Sequence, residues 1–188
     1  MDINERLFVL RQQYQGLSES AYKSGSDRST QHAQSQESAR PLSFQSIVDA
    51  ARFPELKSSK ATLKRVNSDL TCRKTYTAVL SRLACFYSPA LAAASSLGQV
   101  LERQAKGFVL RVSNDPSQSE QAFVMLKFDQ DTALPANYTA NLHIALGSMC
   151  YCVQFSEPYT TTMQAILSKT SAEYSAIVNP DARLYLLD

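Results

Sequence analysis

Tryptophan is absent from the 188 residues, and histidine occurs only at His32 and His143. Glycine is scarce, with five in the chain, and no Gly-rich loop of the kind that cradles phosphate is present. Four cysteines, Cys72, Cys85, Cys150 and Cys152, are too few and too scattered for an extracellular disulfide framework. Cys150 and Cys152 lie two apart in a strand-like stretch, so both point to one face and are poorly placed to pair with each other. Reduced thiols packed in a core are the expectation. Nor does Cys150-Tyr151-Cys152 make a zinc site, which needs about four ligands. The longest weakly polar run, Leu83 to Leu97, is broken by Ser88-Pro89 and is too short to span a bilayer. The opening MDINERLFVLRQQ lacks the basic start and long apolar core of a secretory signal. A cytoplasmic protein with no membrane span is therefore expected.

Candidate chemistry is equally thin. His32 lies in a polar tract, and neither histidine has a motif partner. His143 alternates with Leu142 and Ile144, which predicts an outward or edge position. Asp129 and Asp131 precede Leu134-Pro135 and read as solvated acids of a turn rather than a cation site. No catalytic residue, cofactor or metal ligand is assigned, and the chain is read as non-enzymatic.

What is present suffices for a core: 44% of residues are apolar. The net charge is only +2, but it is unevenly spread. Pro41–Lys106 holds ten basic and four acidic residues, and Gly107–Asp188 four basic and eight acidic. Lys57, Lys60, Lys64 and Arg65 suggest a basic helix face. No aromatic residues interleave with them, so nucleic-acid readout is not expected. Such asymmetry fits nucleic-acid or membrane contact of the basic part, contact between the two parts, or a solvated basic face, and the last two are favoured.

Three regions follow from the pattern, for an α+β fold with a helical N-terminal half and then a small mixed sheet covered by one long helix. Residues 1–40 form an arm. After a short helix near residues 3–14, the tract Gly16–Ala39 is rich in Ser and Gln. It buries too little to offset ordering costs of about 1–2 kcal/mol per residue, so disorder is expected. Residues 41–106 read as helical. Phe44, Ile47, Val48 and Ala51 fall at helical spacing after a Ser43 cap, and Pro54 ends that helix. A basic helix and an apolar stripe from Cys72 to Phe86 follow, and Ser88-Pro89 opens a further helix over 90–104. Residues 107–188 hold the strands: Phe108–Val112, Phe123–Phe128, Leu142–Leu146 and Met149–Phe155. Gly147-Ser148 is a hairpin turn, Pro158 a stop, and Leu184 and Leu186 a last strand. Thr160–Val178 spaces Met163, Ile166, Leu167, Tyr174 and Ile177 as one helical stripe over the sheet.

This last third resembles the C-terminal domain of type III secretion needle-length regulators, the substrate-specificity switch proteins related to flagellar hook-length control proteins. The resemblance rests on an apolar strand, the Leu134-Pro135 corner, the Thr139–Phe155 hairpin, the Thr160–Val178 helix and the Arg183–Leu187 strand. It implies an interaction protein without enzymatic activity that controls needle length and switches export substrates. The implied partner is the export switch protein of the secretion apparatus, with other apparatus subunits as further partners. Leu134 and Pro135 would be the partner-binding residues, and the protein itself would be exported through the apparatus. The alternative is a structural or assembly subunit, a viral coat or large-complex component, with a basic helical contact surface.

Overall fold

The computed structural model describes residues 5, 7–15, 42–91, 101–129, 139–159 and 161–187. The tract Gly16–Ala39, His32, Asp131 and the Leu134-Pro135 corner lie outside them. The chain divides into two compact units, Met1–Arg82 and Leu83–Asp188.

The first unit is helical, as expected: α1 (7–15), α2 (Phe44–Arg52), α3 (Lys57–Ser68) and α4 (Leu70–Leu83). Ser43 caps α2, its side chain accepting from Ser46 N at 3.0 Å. Phe44, Ile47, Val48 and Ala51 are buried on one stripe. Asp69 accepts from Cys72 N at 2.9 Å at the start of α4. The Tyr14 hydroxyl of α1 donates to Leu42 O at 2.7 Å and lies 3.8 Å from Cys72 Sγ. Burial pushes both that hydroxyl and the Cys72 thiol up from their ordinary pKa values. Among the described residues no helix is long and apolar enough to cross a membrane.

The second unit holds β1 (Phe86–Ser88), β2 (Glu102–Ala105), β3 (Phe108–Asn114), β4 (Gln121–Phe128), β5 (Ala140–Leu146), β6 (Met149–Tyr159), β7 (Thr162–Ser168), α5 (Ala172–Ile177) and β8 (Arg183–Leu187). Every pairing is antiparallel, in the order β1-β8-β5-β6-β7-β4-β3-β2. Two four-stranded sheets result, β1-β8-β5-β6 and β7-β4-β3-β2, joined where the end of β6 leaves β5 and pairs with β7. One core fills the space between them. Phe108, Leu110, Leu126 and Phe128 from one sheet meet Leu142, Ile144, Leu184 and Leu186 from the other. Phe86 of β1 packs on Phe108 and Phe128 with ring centroids 5.9 Å apart in both cases, so the two ends of the strand order approach each other.

Several expectations change here. The sheet is antiparallel rather than mixed. No long helix covers it: Thr162–Ser168 is strand β7, and only Ala172–Ile177 is helical. The reason is a period of two. Met163, Ala165 and Leu167 turn inward, while Thr162, Gln164, Ile166 and Ser168 face the other way, and Ile166 is 56% exposed. Ser171 then caps α5 by accepting from Tyr174 N at 3.1 Å. The helical stripe expected to run past Cys85 stops at Leu83, because Phe86 and Tyr87 pair with β8. Ser88 ends β1, and residues 89–91 after it are not helical. Most of the helix expected over 90–104 lies outside the described residues, and Glu102–Gln104 is part of β2. Pro158 does not stop β6. It falls in the register shift between Ser156 and Tyr159, where a missing N–H costs no ladder bond.

The β3–β4 turn offers a test. Asp115 Oδ1 accepts from Ser117 N (2.8 Å), Ser117 Oγ (2.6 Å) and Gln118 N (3.3 Å). The Ser117 hydroxyl first, then the backbone N–H, holds this carboxyl below the usual aspartate range. A lowered folded pKa gives stability that is present above the ordinary aspartate range. That stability is lost as pH falls through the lowered value. Asp115→Asn cannot titrate. Its urea midpoint should therefore fall less than that of the parent chain between about pH 5 and pH 2, and parallel curves would show that Asp115 contributes nothing to the acid limb.

Candidate functional site

Two faces of the second unit carry candidate functional side chains, one open and one largely buried. The first is the outer face of β7-β4-β3-β2, opposite the core. Register aligns Gln104, Val109, Lys127 and Thr162 in one row and Glu102, Arg111, Met125 and Gln164 in the next. Ser113, Phe123 and Ile166 make a third. The first two rows, apart from Gln164, bound a groove of about 350 Å³ whose wall mixes Val109 and Met125 with Arg111, Lys127 and Glu102. Arg111 Nε and Nη2 donate to one Glu102 oxygen at 3.0 and 2.8 Å. The pair holds the Glu102 carboxyl below the usual range and fixes the guanidinium at the groove rim. Such an exposed pair adds little stability, so its role here is positional. Val109, Phe123 and Met125 are half-buried, and Ile166 is exposed.

The second face is the outer side of β1-β8-β5-β6. A row of four titratable side chains crosses it: Tyr87, Tyr185, His143 and Cys152, each opposite the next. The two tyrosine rings lie 5.0 Å apart. Cys152 Sγ is 3.8 Å from His143 Nε2, and beside them Gln154 Nε2 donates to Asn141 Oδ1 at 3.3 Å. Comparisons with protein-family models, curated proteins and solved structures give no match.

His143 corrects its expectation. It is neither outward-exposed nor at an edge: it has 0% exposure on a central strand that is buried on both faces. Cys150 is buried, as expected of a packed thiol, whereas Cys152 is half-buried and sits beside an imidazole. The hairpin carries the signal for this pairing. With Gly147-Ser148 as a two-residue turn, Leu146 faces Met149, and counting outward brings His143 opposite Cys152. Among the described residues no group of three or more His, Cys, Asp or Glu is arranged to hold a metal ion. Asp129 is exposed, and its N–H donates to Gly107 O at 3.2 Å, one step past Phe128 on the side of β3. Lys57, Lys60 and Lys64 are exposed along α3, and Arg65 is half-buried.

Proposed function

We propose that the second unit is a non-enzymatic docking module that binds a partner protein over the outer face of β7-β4-β3-β2. The carrying observation is the patch of Val109, Met125, Phe123 and Ile166 across three neighbouring rows, with Lys127 opposite Val109 and Arg111 opposite Met125. A partner strip of apolar residues flanked by carboxylates fits it. Sheet faces that bury only one side normally keep the other polar, so four neighbouring apolar side chains there are a reason to expect a partner.

The specific form of the proposal is needle-length control and substrate switching in type III secretion, with the export switch protein as partner. Strand β4, the β5–β6 hairpin and strand β8 follow the order of that pattern, while β7 and the six-residue α5 stand where it has one amphipathic helix. Leu134 and Pro135 remain the contact residues that this form proposes. The test is capture of the cytosolic domain of the export switch protein by the full chain. Capture is expected to weaken by at least about fivefold in Met125→Asp or Arg111→Glu, since changing a central contact residue costs more than about 1 kcal/mol. Capture that survives both changes would reject the sheet face. A failure of the parent chain to bind would reject the secretion form.

The exposed lysines of α3 favour a second reading, an assembly subunit whose first unit contacts an acidic partner. It predicts binding that falls steeply with salt and is lost in Lys60→Glu/Lys64→Glu, with Met125→Asp unaffected.

A further inference from the structure

We propose that Cys152 and His143 form a thiol modification site, at which a small peroxide oxidises Cys152 while His143 handles its proton. The inference is independent of the docking proposal, because it rests on the opposite sheet of the second unit.

Three observations carry it. The thiol is half-buried, so a molecule the size of hydrogen peroxide can reach it, unlike Cys72 or Cys150, which are buried. Its sulfur lies 3.8 Å from His143 Nε2, within reach of a sulfur hydrogen bond. The two residues are directly opposed in the β5–β6 ladder, and the imidazole is wholly buried, so neither can drift from the other without opening the hairpin. A reactive thiol is a thiolate, and a thiolate forms readily only where a base waits for the proton.

The burial of His143 also decides what kind of reactivity is possible. A standing imidazolium would be penalised by desolvation, so a permanent thiolate–imidazolium pair is not favoured. Transient transfer avoids that cost. For Nε2 to accept, the ring's own proton sits on Nδ1. The Cys152 S–H proton passes to Nε2 as the sulfur attacks one peroxide oxygen. An S–O bond forms, the O–O bond breaks, and the departing hydroxide takes the proton back from Nε2 as water. Sulfur is oxidised to the sulfenic acid, peroxide is reduced, and His143 ends neutral as it began.

The experiment uses the full reduced chain with hydrogen peroxide and a sulfenic-acid trap, read at each cysteine by mass spectrometry. Cys152 is expected to be trapped before Cys72 and Cys150. His143→Gln, folded by circular dichroism, should slow Cys152 by at least about tenfold, the low end for a positioned base, while leaving exposed Cys85 unchanged. A second readout needs no variant: the alkylation rate of Cys152 against pH. A thiol that reacts only as its thiolate loses about tenfold in rate per pH unit below its pKa, so exposed Cys85 should fall steeply toward neutral pH and Cys152 should fall less. Trapping of Cys152 no faster than of Cys150, or pH profiles that run parallel for Cys152 and Cys85, would overturn the assignment.

Discussion

Replacing Arg103 with alanine is expected to destabilise the second unit by about 3–5 kcal/mol. Arg103 is on β2, is 1% exposed, and has no carboxylate among its hydrogen-bond acceptors. Its Nη1 donates to Ala182 O at 2.8 Å and its Nη2 to Asn179 O, both in the turn between α5 and β8. Nε is buried with no protein partner. Burial pulls the pKa of this group down, yet a guanidinium stays charged at any working pH. Two effects therefore oppose each other. The buried cation carries a desolvation cost, and it donates to Ala182 O and adds a second donor at Asn179 O, which also accepts from Ala182 N at 3.1 Å. Charge-assisted bonds of this kind are worth about 1.5–3 kcal/mol each. Alanine forfeits both bonds and leaves a cavity. Methionine fills most of the volume and removes the desolvation cost, so Arg103→Met should lose only about 1–3 kcal/mol. Urea unfolding followed by hydrogen exchange at β5 amides checks both. Equal losses for the two variants would mean that packing volume is irrelevant at this site, and a stabilised methionine variant would mean that desolvation outweighs the bonds.

Gly107→Ala should cost about 2–5 kcal/mol, from two separable causes. Gly107 has φ +92° in the turn between β2 and β3, a region in which a side chain is strained. A Cβ there would also stand 2.1 Å from the Phe86 ring. That ring cannot simply step aside, because it is packed against both Phe108 and Phe128. The double variant Gly107→Ala/Phe86→Leu separates the terms. The smaller side chain relieves the clash and should recover about 1–2 kcal/mol of coupling in a double-mutant cycle. The backbone share remains. A single Gly107→Ala change within about 0.5 kcal/mol of the parent would sink the prediction, as would a cycle with no coupling.

Much of this second unit was legible in the sequence because period-two alternation and one glycine turn specify a hairpin almost by themselves. β3, β4, β5, β6 and β8 are where alternation predicts strands. The stretch 160–178 was not legible, because Ile166 and Leu167 are adjacent. Adjacent apolar residues suit a helix stripe as well as a strand with one exposed member, and only pairing with β4 decides between them. Strand β2, Glu-Arg-Gln-Ala, has no β-branched or aromatic residue, so its extended state comes from β3 and from the burial of Arg103. At the candidate thiol site the alternation fixed which face His143 occupies. It carried no information on whether that face is covered, and the covering is what turns a surface histidine into a confined one.

The pairing of β1 with β8 sets the timing of assembly. Phe86–Ser88 can find its hydrogen-bonding partner only after Leu184–Leu186 has been made, so a ribosome releases β1 about a hundred residues before its neighbour exists. Until then β5 also lacks its β8 side, and two rows of unpaired backbone groups stand open. Closing so long a loop is slow, and the last strand acts as a clasp on everything before it. Losing a few residues from Arg183–Leu187 would therefore cost far more than their number suggests, because it unfastens β1 and bares the flank of β5 together.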